Sequence, residues 1–254
     1  MARGKFAVIL PAAGKSSRFR DKEKKPFANL DGRPVWLRSA EMFVTRDDVC
    51  QCIIVVAPAD QEVFRRRSGA HLAFMNVQVA DGGGERFESV ANALALVKPE
   101  ADFVAIHDAV RPCVSEELIE AVFAKADATG AAVLAVPITD TVKEVDAQRQ
   151  VQSTVSRQGL WAAQTPQAFR REWLVNAYAR RAELGKNITD DAQLMEAAGH
   201  KVHVVEGSVL NLKITAKADL ALAEAVLKSR PKPKPARPAH PFAEEEMWGG
   251  LGKK

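Results

Sequence analysis

The stretch Phe6 to Phe27, FAVILPAAGKSSRFRDKEKKPF, decides how the chain is read. The apolar run Phe6 to Leu10 reads as a buried strand. It ends in Pro11, Ala12, Ala13 and Gly14, whose small side chains leave backbone N–H groups unshielded. Lys15, Arg18, Lys24 and Lys25 then put positive charge beside that turn. Backbone donors and cations at the end of a buried strand form a cradle for a polyphosphate. The cradle is not a P-loop: Gly14-Lys15-Ser16 imitates the end of that motif, but its first glycine would have to stand at Ile9.

Further apolar, β-rich runs recur at Cys52 to Ala57, Val77 to Ala80, Phe103 to Ile106 and Ala132 to Val136, separated by stretches with helical periodicity. Such alternation predicts βαβ units and a mainly parallel sheet with helices on both faces. Ser115, followed by Glu116 and Glu117, is a helix N-cap, and Thr215 precedes a helix with Leu220, Ala223 and Leu227 on one face. Ligands of open parallel sheets gather at the carboxyl ends of the strands. Residues Ile138 to Ser156 break the rhythm, because TDTVKEV and QVQSTVS alternate around Asp146-Ala147-Gln148 and predict a protruding β-hairpin arm. A lone hairpin is marginal in water and needs a packing partner.

The chain has 254 residues with 47% hydrophobic content, enough for one large domain. Residues 1–228 are read as that domain. Residues 229–254, with five of the thirteen prolines, are read as an extended, disordered tail dispensable for chemistry. No run approaches the roughly 18 apolar residues of a membrane span, and the start lacks a signal peptide's h-region, so a cytoplasmic protein without membrane contact is expected. Cys50, Cys52 and Cys113 are too few and too odd a set for a disulfide framework. The net charge of +4 hints at nucleic acid, but the tail carries six cations and three anions, which leaves the body at only +1. A near-neutral body with cations gathered at one loop fits a small anionic ligand better than a duplex.

Asp108, just past the strand Phe103 to Ile106, is the candidate ligand for Mg²⁺, which nucleotide sites hold with one or two carboxylates plus substrate phosphates. His107 reads as a packed residue, since no second histidine or cysteine stands at ligand spacing. Gly82-Gly83-Gly84 is not a dinucleotide fingerprint, because Phe87 occupies the third glycine position. These glycines let backbone approach a flat base, with Arg86 and Ser89 on the helix that follows. Arg18, Lys25 and Lys213 are the candidate catalytic cations for a triphosphate and its transferring phosphorus. Lys213 stands in a strand-like run, Leu212 to Ile214, where an edge-strand lysine is the alternative.

Seven blocks appear in one order: PAAG with Arg18 and Lys25, DGGGERFESV (81–90), HDAVRP (107–112), DTVK (140–143), RQGLWAAQTPQAF (157–169), ITDDA (188–192) and NLKIT (211–215). In these the chain resembles the 2-C-methyl-D-erythritol 4-phosphate cytidylyltransferase family over residues 5 to 228. The resemblance implies a Rossmann-like fold of the nucleotide-diphospho-sugar transferase type and CMP transfer from CTP to the erythritol phosphate. It further implies Mg²⁺ as cofactor and a homodimer built through the arm. It assigns Pro11 to Gly14 and Gly82 to Gly84 to CTP, with Ala12, Ala13 and the glycines reading cytosine and ribose. Arg111, Thr141, Arg157 and Thr165 are assigned to the acceptor phosphate. The hairpin's need for a partner adds the expectation that Arg157 reaches the other subunit's acceptor pocket. Ser16, Gly84, Ser156 and Gln193 depart from the family's usual residues. A ribitol 5-phosphate cytidylyltransferase and a non-catalytic nucleotide-binding protein are the alternatives.

Overall fold

The computed structural model describes residues 4–14, 19, 24–184 and 188–230; Lys15, Ser16, Arg18 and the chain from Pro231 onward lie outside them. β1 (Phe6–Pro11) leads through a small ribbon, β2 (Asn29–Leu30) and β3 (Arg33–Pro34), into α1 (Val35–Val44). Next come β4 (Val49–Val56), α2 (Gln61–Phe74), β5 (Val77–Asp81), α3 (Arg86–Leu94), β6 (Phe103–Ile106), α4 (Glu116–Thr129) and β7 (Ala131–Pro137). β8 (Val142–Val145) and β9 (Val151–Val155) form the hairpin, and β10 (Trp161–Arg170) returns to the sheet. α5 (Arg171–Ala179), α6 (Arg181–Leu184), α7 (Asp191–Ala197), β11 (His203–Glu206) and α8 (Ala218–Ser229) complete the order.

The main sheet has seven strands in the order β11-β7-β10-β6-β1-β4-β5. Only β10 runs antiparallel to its neighbours, β6 and β7. The apolar runs lack polar alternation because both faces are covered. Val8 and Leu10 of β1 pack with Trp36 and Phe43 of α1, Phe64 of α2 and Phe123 of α4. Ile9 of the same strand points the other way, into a layer with Val90 of α3, Leu174 of α5 and Met195 of α7. The chain builds outward from β1 through β4 to β5, then crosses to β6 on the other side of β1. That reversal opens a crevice at the carboxyl ends of β1 and β6.

Ser115 caps α4 as expected, its Oγ accepting from Leu118 N at 3.4 Å. Gly130 closes the same helix at φ +88°, and a Cβ there would stand 2.3 Å from the Trp173 ring. Thr215 precedes α8 as expected. The helix begins at Ala218, and the Asp219 carboxylate accepts from Thr215 N, Thr215 Oγ1 and Ala216 N. A carboxylate in the first turn competes well for those donors because it also complements the helix dipole. The predicted apolar face holds: Ala223 is buried, with Leu220 and Leu227 against it.

The arm forms as read, with Val142 opposite Val155 and Val145 opposite Val151. Asp146 Oδ1 closes its turn by accepting from Gln148 N at 3.0 Å and Gln150 N at 2.8 Å. The packed body extends two residues past the expected boundary at Lys228. Ser229 ends α8, and the Arg230 guanidinium donates to the carbonyls of Val114, at 3.1 Å, and Cys113. Arg230→Ala should therefore lower unfolding free energy by about 1 kcal/mol, measured by urea denaturation.

Candidate functional site

The crevice is a cavity of about 540 Å³, lined by Pro11 to Gly14, Lys24 to Pro26, Gly83 to Arg86, Ser89, Asp108, Val110 and Lys213. Five separate segments meet there, at the end of the sheet where β1 and β6 finish. The first turn and the glycine loop are fitted to each other. A Cβ on Gly82 would lie 2.5 Å from the Ala13 Cβ, and one on Gly83 would lie 2.3 Å from the Glu88 Cβ. These glycines thus serve close packing of the loop on its own surroundings. Glu88 is held there by the capping box of α3, in which it accepts from Glu85 N at 3.0 Å.

Several amides expected to face a ligand are engaged within the protein. Ala12 N donates to the Val55 carbonyl at 2.9 Å, Gly82 N to the Val56 carbonyl at 2.8 Å, and Gly83 N to Ser89 Oγ at 3.0 Å. Ser89 Oγ donates in turn to the Glu85 carbonyl at 3.1 Å, so this side chain braces the glycine loop. Lys24 is paired with Asp60 at 2.5 Å. Lys25 opens a single 3₁₀ turn, Lys25–Phe27, and lines the cavity.

Asp108 is the centre of charge. It is 8% exposed, and its Oδ2 lies 2.8 Å from Lys213 Nζ and 3.4 Å from Arg111 Nε. Burial resists its ionisation, but Lys213 outweighs it, helped by Arg86 and Arg111, and holds the carboxyl at about 2. Lys213 is not in a strand. It lies on an irregular segment fixed by Ile214 N donating to the Val110 carbonyl at 2.9 Å.

Beneath Asp108, a chain of hydrogen bonds fixes its backbone. Asp108 N donates to Thr165 Oγ1 at 3.0 Å, and Thr165 Oγ1 lies 3.2 Å from His107 Nδ1. His107 Nε2 lies 3.1 Å from the Arg111 carbonyl. A carbonyl only accepts, so Nε2 carries the proton and Nδ1 accepts from the threonine hydroxyl. Burial drives the His107 pKa down to about 4, only partly offset by the Asp108 charge. His107 is therefore the packed, neutral residue expected of it.

Arg86 is pulled away from a purely cavity-facing role. It pairs with the buried Asp191 at 2.7 Å, and Tyr178 Oη donates to the same carboxylate at 2.6 Å. Burial alone would lower the Arg86 pKa, but the Asp191 charge raises it instead. Thr165 is likewise buried in β10, with its hydroxyl committed to Asp108 and His107. Thr141 and Arg157 stand at the exposed base of the arm, where Arg157 Nη1 donates to the Thr139 carbonyl. Neither lines the cavity. The structure thus gathers Lys25, Asp108 and Lys213 with the two loops, leaves Thr141 and Arg157 outside, and does not describe Arg18.

Sequence reasoning missed Asn211 and Asp191, both buried polar residues with several partners. Each lies inside a quoted block, NLKIT or ITDDA, which was the available signal. Among the described residues no group of three His, Cys, Asp or Glu side chains could hold a metal by itself. A single ionised carboxylate facing a cationic cavity does suit Mg²⁺ carried in on phosphates.

A mainly parallel sheet whose crevice sets backbone loops, cations and one ionised carboxylate around a nucleotide-sized cavity defines a nucleotidyltransferase. The model of the family described as "IspD: 2-C-methyl-D-erythritol 4-phosphate cytidylyltransferase" matches residues 6–229. A protein of that name from Rhodopirellula baltica is 41% identical over 232 residues, covering 87% of this chain and 94% of the relative. One from Endomicrobium trichonymphae is 45% identical over 226 residues, covering 89% and 100%. The crystal structure of the Francisella tularensis enzyme of that name superposes with a TM-score of 0.75 at 30% identity, covering 87% of this chain and 99% of that one. The Thermus thermophilus enzyme gives 0.72 at 30%, covering 88% and 99%. The chain belongs to the 2-C-methyl-D-erythritol 4-phosphate cytidylyltransferase family.

His107 makes stability pH-dependent. Its folded pKa lies below the unfolded value of 6.5, so the unfolded chain takes the proton first. The contribution is fully present above pH 6.5 and is lost as pH falls towards 4. Without divalent cations, that loss should reach about 3 kcal/mol. His107→Gln should flatten this part of the profile, as read from urea midpoints at each pH. The depressed Asp108 pKa acts in the same direction in a lower window, from 3.8 towards 2.

Proposed function

We propose that the protein transfers CMP from CTP to 2-C-methyl-D-erythritol 4-phosphate, giving 4-diphosphocytidyl-2-C-methyl-D-erythritol and pyrophosphate in isoprenoid biosynthesis. The observation that carries this reading is the cluster of Asp108, Lys213 and Arg111 at the mouths of β1 and β6, in a chain the family covers from 6 to 229. An acceptor phosphate oxygen attacks the α-phosphorus in line as the bond to the β-phosphate oxygen breaks, and the electron pair leaves with pyrophosphate. No protein nucleophile is required, so the residues have to position and neutralise. Lys25 and Lys213, with Arg18, stabilise the charge at the α-phosphorus and the departing pyrophosphate. Asp108 would hold Mg²⁺, which supplies charge neutralisation on the triphosphate.

The loops at Pro11 to Gly14 and Gly82 to Gly84, with Arg86 and Ser89, bind CTP. Ala12 and Gly83 have engaged amides, so they present carbonyl and Cα surface to the nucleoside, while Gly82 packs behind them on Ala13. Arg111 takes the acceptor, joined by Thr141, Thr165 and Arg157. The use of CTP puts the enzyme in the cytoplasm. Residues 231–254 are dispensable for turnover, since the family match ends at 229.

The protein works as a homodimer joined through the arm. Val145, Val151 and Val155 are 50, 59 and 37% exposed, an apolar surface that a hairpin of this size cannot bury by itself. A two-fold exchange of identical arms would cover it and bring Arg157 to the partner's cavity.

Lys213→Ala should lower kcat by about 10²–10³-fold, as for loss of one transition-state donor, with a smaller change in KM for CTP. A pyrophosphate-release assay with CTP and the erythritol phosphate measures both; an effect confined to KM would remove Lys213 from the transition state. Mixing inactive Arg157→Ala subunits with inactive Lys213→Ala subunits should restore turnover, because one site in each mixed dimer has both cations. Subunit exchange verified by mass spectrometry without recovered activity would mean that each site is built from one chain.

A further inference from the structure

Lys213 has no regular secondary structure around it and its side chain is 41% exposed, yet its ammonium stands 2.8 Å from Asp108. A long side chain on an irregular segment keeps such a place only if the backbone beneath it is fixed. Ile214 fixes one side through Val110. Asn211, which is fully buried, fixes the other.

Asn211 is tied to three segments. Its Nδ2 donates to the Thr165 carbonyl at 2.9 Å and to Gln164 Oε1 at 3.2 Å, both on β10. Its own carbonyl accepts from Arg111 Nη1 at 2.7 Å, and its N–H donates to the Ser208 carbonyl at 3.0 Å. The Gln164 amide nitrogen is itself committed to the Ser208 carbonyl at 2.9 Å, which fixes its oxygen towards Asn211. Both partners of Nδ2 are thus acceptors, and the Asn211 amide has one orientation. That orientation leaves its Oδ1 buried with no hydrogen-bond partner among the described residues. The two donations thus hold Asn211 in place even though one of its own acceptors goes unused.

We propose that Asn211 is a positioning residue that sets Lys213 against Asp108 and touches no substrate itself. The inference rests on the transition-state role given above to Lys213. Asn211→Asp keeps the shape and turns the two-donor amide into an acceptor facing two acceptors. It should lower kcat by about 10–100-fold with KM for CTP changed less than about threefold, since it acts through a transition-state contact. In a Lys213→Ala background the same substitution should change kcat by less than about threefold, because residues acting as one unit are not additive.

Equal fold-losses in the two backgrounds, in protein whose circular dichroism and melting show it folded, overturn the proposal. If Asn211→Asp does not fold, Gln164→Met carries the same cycle, since it removes one partner of Nδ2 and leaves the bond to Thr165. An inactive wild-type protein would count against the proposed function, whereas an active one with additive losses counts against the role of Asn211 only.

Discussion

The ionised carboxylate of Asp108 is the constraint on which the site depends. A carboxyl group 8% exposed would ordinarily take up a proton, and here Lys213, Arg86 and Arg111 keep it charged. Buried ion pairs are poor sources of stability, because desolvation consumes most of the Coulombic gain. The pair of Asp108 and Lys213 is better understood as charge set in advance for a ligand. The asymmetry of its two members fits this. Asp108 is fixed through its backbone to Thr165, while Lys213 is 41% exposed on a long stem and can exchange its carboxylate for a phosphate.

Fixing Asp108 demands more of the sheet than a parallel strand alone supplies. β10 runs against its neighbours, and that reversed strand brings Gln164 and Thr165 beneath the loop that follows β6. The same strand holds Asn211, so both irregular segments that carry charge are tied to one rigid element. On the other side of the crevice, Ala12 is tied to β4 and the glycine loop is tied to α3. The loops are therefore irregular in conformation but not loosely held. Reactions that proceed by positioning and neutralisation require such rigidity more than they require reactive side chains.

The layers of the fold were legible because burial on both faces leaves an unmistakable run of apolar residues, as in Phe6 to Leu10 and Phe103 to Ile106. The arm was legible from alternation around Asp146. The helix after Thr215 was legible from its apolar face, whereas the Asp219 carboxylate that ties Thr215 and Ala216 to its first turn was not. Lys213 misled: Leu212 to Ile214 alternates like a strand, but it is pinned across the site rather than along a sheet edge. Gly82 and Gly83 were read as room for a base, whereas their neighbours are Ala13 and Glu88, contacts that only the tertiary fold reveals. Asn211 and Asp191 went unread because a polar residue within a motif gives no sign of whether it faces solvent or a buried partner.

The division between body and arm has a chemical logic under the proposed function. The nucleotide side is built from loops clamped to the central strands, where burial is nearly complete and one geometry is imposed. Two of the groups proposed for the acceptor, Thr141 and Arg157, sit at the base of an exposed hairpin that contributes almost nothing to the core. A site divided in this way separates two requirements. The α-phosphorus must be held rigidly for in-line attack, which the sheet provides, while the acceptor must enter and its product must leave, which a less deeply packed element permits. The proposed dimerisation would serve the chemistry directly, since an arm with no core of its own gains a fixed position only by packing on another subunit.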